Sequence, residues 1–181
     1  MKRLMGLFFI LLLSGCILGP NETALARELH DVRVQFVPDG LLIPATDTGR
    51  MAYRDELVKH QSQISTNPLS SSPLTSYLEA SLASLSSVEK AEAALSLWLN
   101  QDVSLLDCGP EQPGERILQL FQEARTDALA ARAGFDSVRT NTTIANELGA
   151  DYLLQALATL EGMARTHTEM AELVQRGCIV T

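Results

Sequence analysis

Three histidines, three cysteines and a regularly spaced arginine row carry what chemistry this sequence could support. The residues three positions before His30, His60 and His167 are Arg27, Leu57 and Ala164. None completes the Glu-x-x-His pair that a carboxylate-bridged di-iron bundle requires. No Cys-x-x-Cys, Cys-x-x-Cys-His, His-Glu-x-x-His, Gly-x-Ser-x-Gly or phosphate-loop pattern occurs. His167 lies on an apolar helical stripe. It reads either as a core-edge histidine hydrogen-bonded across a bundle, the favoured reading, or as a cofactor ligand or pH switch. Arg125, Arg132 and Arg139 recur every seven residues. Such a row can line an anion-binding groove or pair along a helix seam with acids such as Glu147, Glu161 or Glu169. Met163 and Met170 read as core filler rather than a metal box. Asn21-Glu22-Thr23 and Asn141-Thr142-Thr143 match the N-glycosylation pattern, which matters only in a host that glycosylates exported proteins. No metal, no cofactor and no enzymatic activity is expected from this inventory.

The N-terminus has a different kind of chemistry. Lys2 and Arg3 form a short basic head, Leu4–Leu13 is an apolar run, and Ser14, Gly15 and Cys16 follow. That run is well short of the roughly 20 residues that span a bilayer, and it has the design of a secretory signal. Leu13-Ser14-Gly15-Cys16 resembles the lipobox of prokaryotic lipoproteins. The resemblance covers the signal architecture only. It implies cleavage before Cys16, diacylglycerol on the Cys16 sulfur and, in bacteria, an acyl chain on the new amino terminus. Two or three acyl chains give stable anchoring where one does not. Ile17 replaces the aspartate that commonly retains diderm lipoproteins at the inner membrane, so an outer-membrane location is expected in a diderm. In other prokaryotes the outer face of the cell membrane is expected. Residues 1–15 are thus read as signal peptide, 16–22 as a lipidated tether and 23–181 as the folded domain.

Composition agrees with export of a folded, non-nucleic-acid-binding body. The 181 residues hold 14 basic and 22 acidic side chains, a net charge of −8. Removal of residues 1–15 leaves 12 basic against 22 acidic side chains, a net charge of −10. An acidic chain lacks the basic footprint of a nucleic-acid binder. With 46% hydrophobic residues and modest charge it is not a disordered chain either.

Leucine- and alanine-rich composition favours helix. Leu25, Leu29, Val32 and Phe36 fall on one helical face, although Val32–Phe36 also alternates as a short strand would. Pro38-Asp39-Gly40 ends that element. A second helix is expected from about 48 to 65, marked by Tyr53, Leu57 and Ile64. A third starts at Pro73, with Ser72 as N-cap. Its expected stripe is Leu74, Leu78, Leu85, Val88, Leu95 and Leu99, with Trp98 on the shoulder. The fourth, near 114–140, carries Ile117, Phe121, Ala124, Ala128, Ala131, Phe135 and Val138 in unbroken heptad spacing. After a reversal at 141–143, Leu153, Leu157, Leu160, Ala164, His167, Ala171 and Val174 repeat that spacing near 144–176, where Gly149 is placed to break off the first turn. The expected fold is all-α: an antiparallel bundle of four to five helices ending in a long helical hairpin.

That hairpin brings its outer ends, and with them Cys108 and Cys178, together. A disulfide is the preferred reading for an exported chain. Free buried thiols or a metal site are the alternatives, the latter weak without nearby histidines. The expected role is that of a lipid-anchored envelope protein with a structural or protein-interaction function, in contact with the membrane and an unknown envelope protein. A ligand-binding or sensory bundle at the membrane surface is the alternative.

Overall fold

The computed structural model describes residues 20–38, 40–65, 72–100, 106–110 and 112–179. Residues 1–15, read above as a signal peptide, together with Cys16 and the side chain of Asn21, lie outside the described residues. Six helices are present among the described residues: α1 (Pro20–Phe36), α2 (Asp47–Ser65), α3 (Ser72–Leu99), α4 (Pro113–Arg139), α5 (Thr142–Leu148) and α6 (Ala150–Gly177). None of them is long and apolar enough to cross a membrane. α1 begins at Pro20, inside the segment read as tether, and continues as helix through Phe36, so the alternation at 32–36 is not a strand. Two-residue strands β1 (Leu106–Asp107) and β2 (Cys178–Ile179) pair in parallel, Leu106 opposite Cys178.

α3, α4 and α6 form the long body of the bundle, with α4 packed against both of the others. α3 and α4 run antiparallel: Tyr77 meets Phe135 at one end, with ring centroids 5.7 Å apart, and Trp98 meets Phe121 at the other, at 6.3 Å. All seven residues of the α4 heptad stripe are buried, because α4 is covered on two sides.

The α3 register differs from the sequence expectation. The residues facing α4 are Tyr77, Ala80, Ser84, Ser87, Ala91, Ala94 and Trp98, themselves in heptad spacing and all buried except the half-exposed tryptophan. Leu74, Leu78 and Leu85 are buried too, but Leu95 is exposed and Leu99 is 80% exposed. The reason is that α3 is wedged between α4 and α2, whose first turns reach as far along α3 as Glu92, and so is apolar on two faces over that length. Beyond it the leucine face meets solvent. Small side chains on the α4-facing stripe let the helices approach closely. A Cβ on Gly134 would lie 2.9 Å from the Ala80 Cβ and 3.0 Å from the Ser76 carbonyl oxygen.

α1, α2 and α5 thicken one end of the body and create the main core there. The long C-terminal element expected from 144 is broken at Gly149, which adopts φ +97° and separates α5 from α6. At the opposite end a smaller cluster of Ala91, Ala94, Ile117, Leu120, Phe121, Ala124 and Val174 is closed by the β1–β2 pair.

Candidate functional site

α1 buries Ala26, Leu29 and Arg33, with Val37 just past its end, a face rotated by one position from the stripe expected at Leu25, Leu29, Val32 and Phe36, whose Leu25, Val32 and Phe36 pack partly buried against the same core. This rotation carries a guanidinium into the core end of the bundle. Arg33 is 8% exposed, and its Cζ sits 4.2 Å from the centroid of the Tyr152 ring, a cation–π stack. Its Nε is buried without a hydrogen-bond partner, as are the hydroxyls of Tyr53 and Tyr77. Ser81, on the adjoining turn of α3, gives its hydrogen to the Tyr77 carbonyl at 2.9 Å. Burial pushes the Tyr53, Tyr77 and Tyr152 hydroxyls above the usual tyrosine range, and the Arg33 charge opposes that rise.

One Arg33 nitrogen, Nη2, lies 3.3 Å from His30 Nδ1, which is itself 3.1 Å from the Leu148 carbonyl. A single imidazole nitrogen serves only one of these neighbours: its hydrogen goes to the carbonyl, or its lone pair accepts from the guanidinium. Gly149 is pressed close by, and a Cβ there would stand 3.5 Å from His30 Nδ1 at a backbone φ that side chains rarely adopt.

A recess of about 320 Å³ opens beside Arg33, lined by Pro38, Gly40, Leu41, Asp151, Tyr152 and Gln155. The turn closing it is set by Gly40 at φ +82° and by the Leu41 amide donating to the Pro38 carbonyl at 3.1 Å. A shallower groove of about 390 Å³ lies between α2 and α3, around Met51 and Ala93. Arg50 there is as buried as Arg33, but it is paired with Asp47 and, at 2.6 Å, with Glu92; Arg54 bonds Glu89 at 2.6 Å. In a third groove Lys90 is paired with Asp127 at 2.7 Å and with Glu123 at 3.5 Å. Among the described residues no group of three or more His, Cys, Asp or Glu side chains is placed to hold a metal ion.

The residues singled out from sequence are distributed as follows. Cys108 and Cys178 are joined in a disulfide, with Cα atoms 5.3 Å apart, at the end of the bundle opposite Arg33. Arg125, Arg132 and Arg139 are exposed along α4 and line none of these three recesses. Arg132 reaches Glu161 at 3.7 Å, Arg139 turns back to Asp136 on its own helix, and Arg125 has no ion pair among the described residues. Glu147, an expected seam partner, is instead held by Arg27 of α1 through bonds of 2.6 and 2.8 Å. The Asn141 side chain accepts from the Ile144 amide at 3.2 Å, so this half-buried residue caps α5. His60 is buried on α2, with Nδ1 2.8 Å from the Glu56 carbonyl.

His167 is 7% exposed and lies between α3, α4 and α6. Ser87 gives its hydrogen to the Ala124 carbonyl at 2.8 Å, so its oxygen accepts from His167 Nε2 at 3.3 Å. That assigns the neutral Nε2–H tautomer, and burial holds the imidazole pKa below its ordinary value. The unfolded chain therefore binds a proton at a higher pH than the folded one. Stability is expected to fall as pH drops below about 6.5 and towards the lower folded value. Denaturant titrations across that interval should show the loss in the parent and a smaller one in His167→Gln. Equal losses in both would show that His167 does not carry the effect.

Arg33 was not legible as a site residue from sequence. It sits between Val32 and Val34, and its one signal is its place four residues from Leu29 and four from Val37. The fold is thus an all-α antiparallel bundle with a buried cation beside a recess. No family model matches the chain, and neither a curated protein nor a solved structure does.

Proposed function

We propose that this chain is an exported lipoprotein whose helical bundle has a non-enzymatic, structural or protein-interaction role in the cell envelope. The observation that carries the reading is the order basic head, apolar run, Leu13-Ser14-Gly15-Cys16. The Cys108–Cys178 disulfide supports it, since such bonds persist in oxidising compartments and are rare in the cytosol. The acidic body, at −10 after processing, would be repelled by an anionic membrane surface, so the lipid on Cys16 would supply the attachment. The partners in this reading are the membrane and an envelope protein. The membrane would be the outer one in a diderm, and otherwise the outer face of the cell membrane.

The test is metabolic labelling of the full chain in a bacterial host with a tagged fatty acid. The parent is expected to take up label and fractionate with membranes. Cys16→Ala is expected to lose the label and its lipid-dependent membrane retention. Equal labelling of parent and variant would defeat the proposal. Affinity capture of the lipidated form from native membrane then tests the interaction role, through a stoichiometric partner.

A further inference from the structure

We propose that the recess beside Arg33 binds a small zwitterion of the amino-acid type, its carboxylate received by Arg33 and its ammonium by Asp151. This site is independent of the lipid anchor. Arg33 is only 8% exposed, its Nε has no hydrogen-bond partner, and no ion pair reaches it from the described residues. A buried cation is costly unless paired or well hydrogen-bonded. Arg50 shows how this fold pairs one when pairing is all that is needed: two carboxylates converge on it. Arg33 is instead held over the Tyr152 ring, and the side chain that is held lines a recess. A guanidinium is itself planar, and it matches a carboxylate with two parallel bonds.

The rest of the lining narrows the ligand. The recess, about 320 Å³, has room for a small molecule and little more. Asp151, in the first turn of α6, brings a carboxylate to the rim, which disfavours a simple anion and favours a ligand with an adjacent amine. Gln155 adds an amide able to donate and accept. Pro38 and Leu41 form an apolar wall against which the ligand's own side chain can lie.

The test is isothermal titration of the full lipidated protein in detergent micelles with a panel of L-amino acids. Each is compared with the carboxylic acid and the amine that lack one of its charged groups. Saturable one-site binding of at least one amino acid is expected, weaker for both of its counterparts. Arg33→Met, which keeps the length of the side chain, is expected to abolish binding while raising the melting temperature of the free protein, because the unpaired buried charge is gone. Should that variant not fold, Asp151→Asn and Gln155→Ala stand on exposed positions of α6, and Asp151→Asn is expected to weaken binding at least about tenfold. The proposal is overturned if no amino acid binds, if an acid binds as tightly as its amino acid, or if binding survives Asp151→Asn unchanged.

Discussion

Gly134→Leu is expected to lower the stability of the bundle by about 3 kcal/mol, the upper range for an overpacked core. Two opposing effects act at this position. Replacing glycine within a helix gains about 1 kcal/mol in propensity, which on a solvent-facing surface would raise stability. Here even a methyl group would lie 2.9 Å from the Ala80 Cβ and 3.0 Å from the Ser76 carbonyl oxygen. Neither neighbour is the free end of a flexible chain, so α3 and α4 must move apart, and the Tyr77–Phe135 contact just beside them loosens with them. Gly134→Ala is expected to lose about 1 kcal/mol net and the leucine variant about 10 °C in melting temperature, at the few degrees per kcal/mol usual for domains of this size. Calorimetric melting of both variants is the measurement. Adding Ala80→Gly to Gly134→Ala should recover part of the loss, as expected of two residues in direct contact. A leucine variant that melts with the parent would mean that the two helices do not approach as closely as described.

The second large effect is expected at the far end of the bundle. The Cys108–Cys178 bond closes a loop with a sequence separation of 70 residues. On the chain-entropy account such a cross-link stabilises by about 4 kcal/mol. The cluster it covers contains only seven buried residues, three of them alanine, so little apolar area compensates for its loss. Cys108→Ser/Cys178→Ser, which leaves neither thiol unpaired, is therefore expected to melt about 10 °C lower than the parent. The last turns of α6 around Val174 should lose hydrogen-exchange protection before the core around Phe135 does. Identical melting of the double variant and the oxidised parent would refute this.

Sequence and structure agree most closely on α4. Its heptad spacing runs unbroken from Ile117 to Val138, and every position on it is buried, because α3 and α6 flank it along its length. α6 follows its expected stripe nearly as well, with Leu157 and Ala171 only partly buried. On α3 two stripes compete, one of leucines and a valine interrupted at Ser81 and Glu92, and one of alanines, serines, a tyrosine and a tryptophan. Hydropathy favours the first. Close approach to α4 selects the second, and it also explains Gly134, whose cost in helix propensity has no reason visible along the chain. The same limit applies to α1, where Val32 and Phe36 make a better apolar face than Arg33, yet Arg33 is the residue turned inward.

Local periodicity and helix-stopping residues were enough to determine an all-α body, and the placement of two cysteines outside two helices of similar length was enough to favour a joined far end. These follow from interactions within a few residues, or from lengths that 1.5 Å per helical residue makes calculable. Tertiary structure alone decided which faces of α1 and α3 are buried, that Arg132 meets Glu161 while Glu147 belongs to Arg27, and that an unpaired guanidinium lies against Tyr152. A helix presents several workable stripes. The neighbours that choose among them come from distant parts of the chain, and their positions are a property of the whole packed molecule.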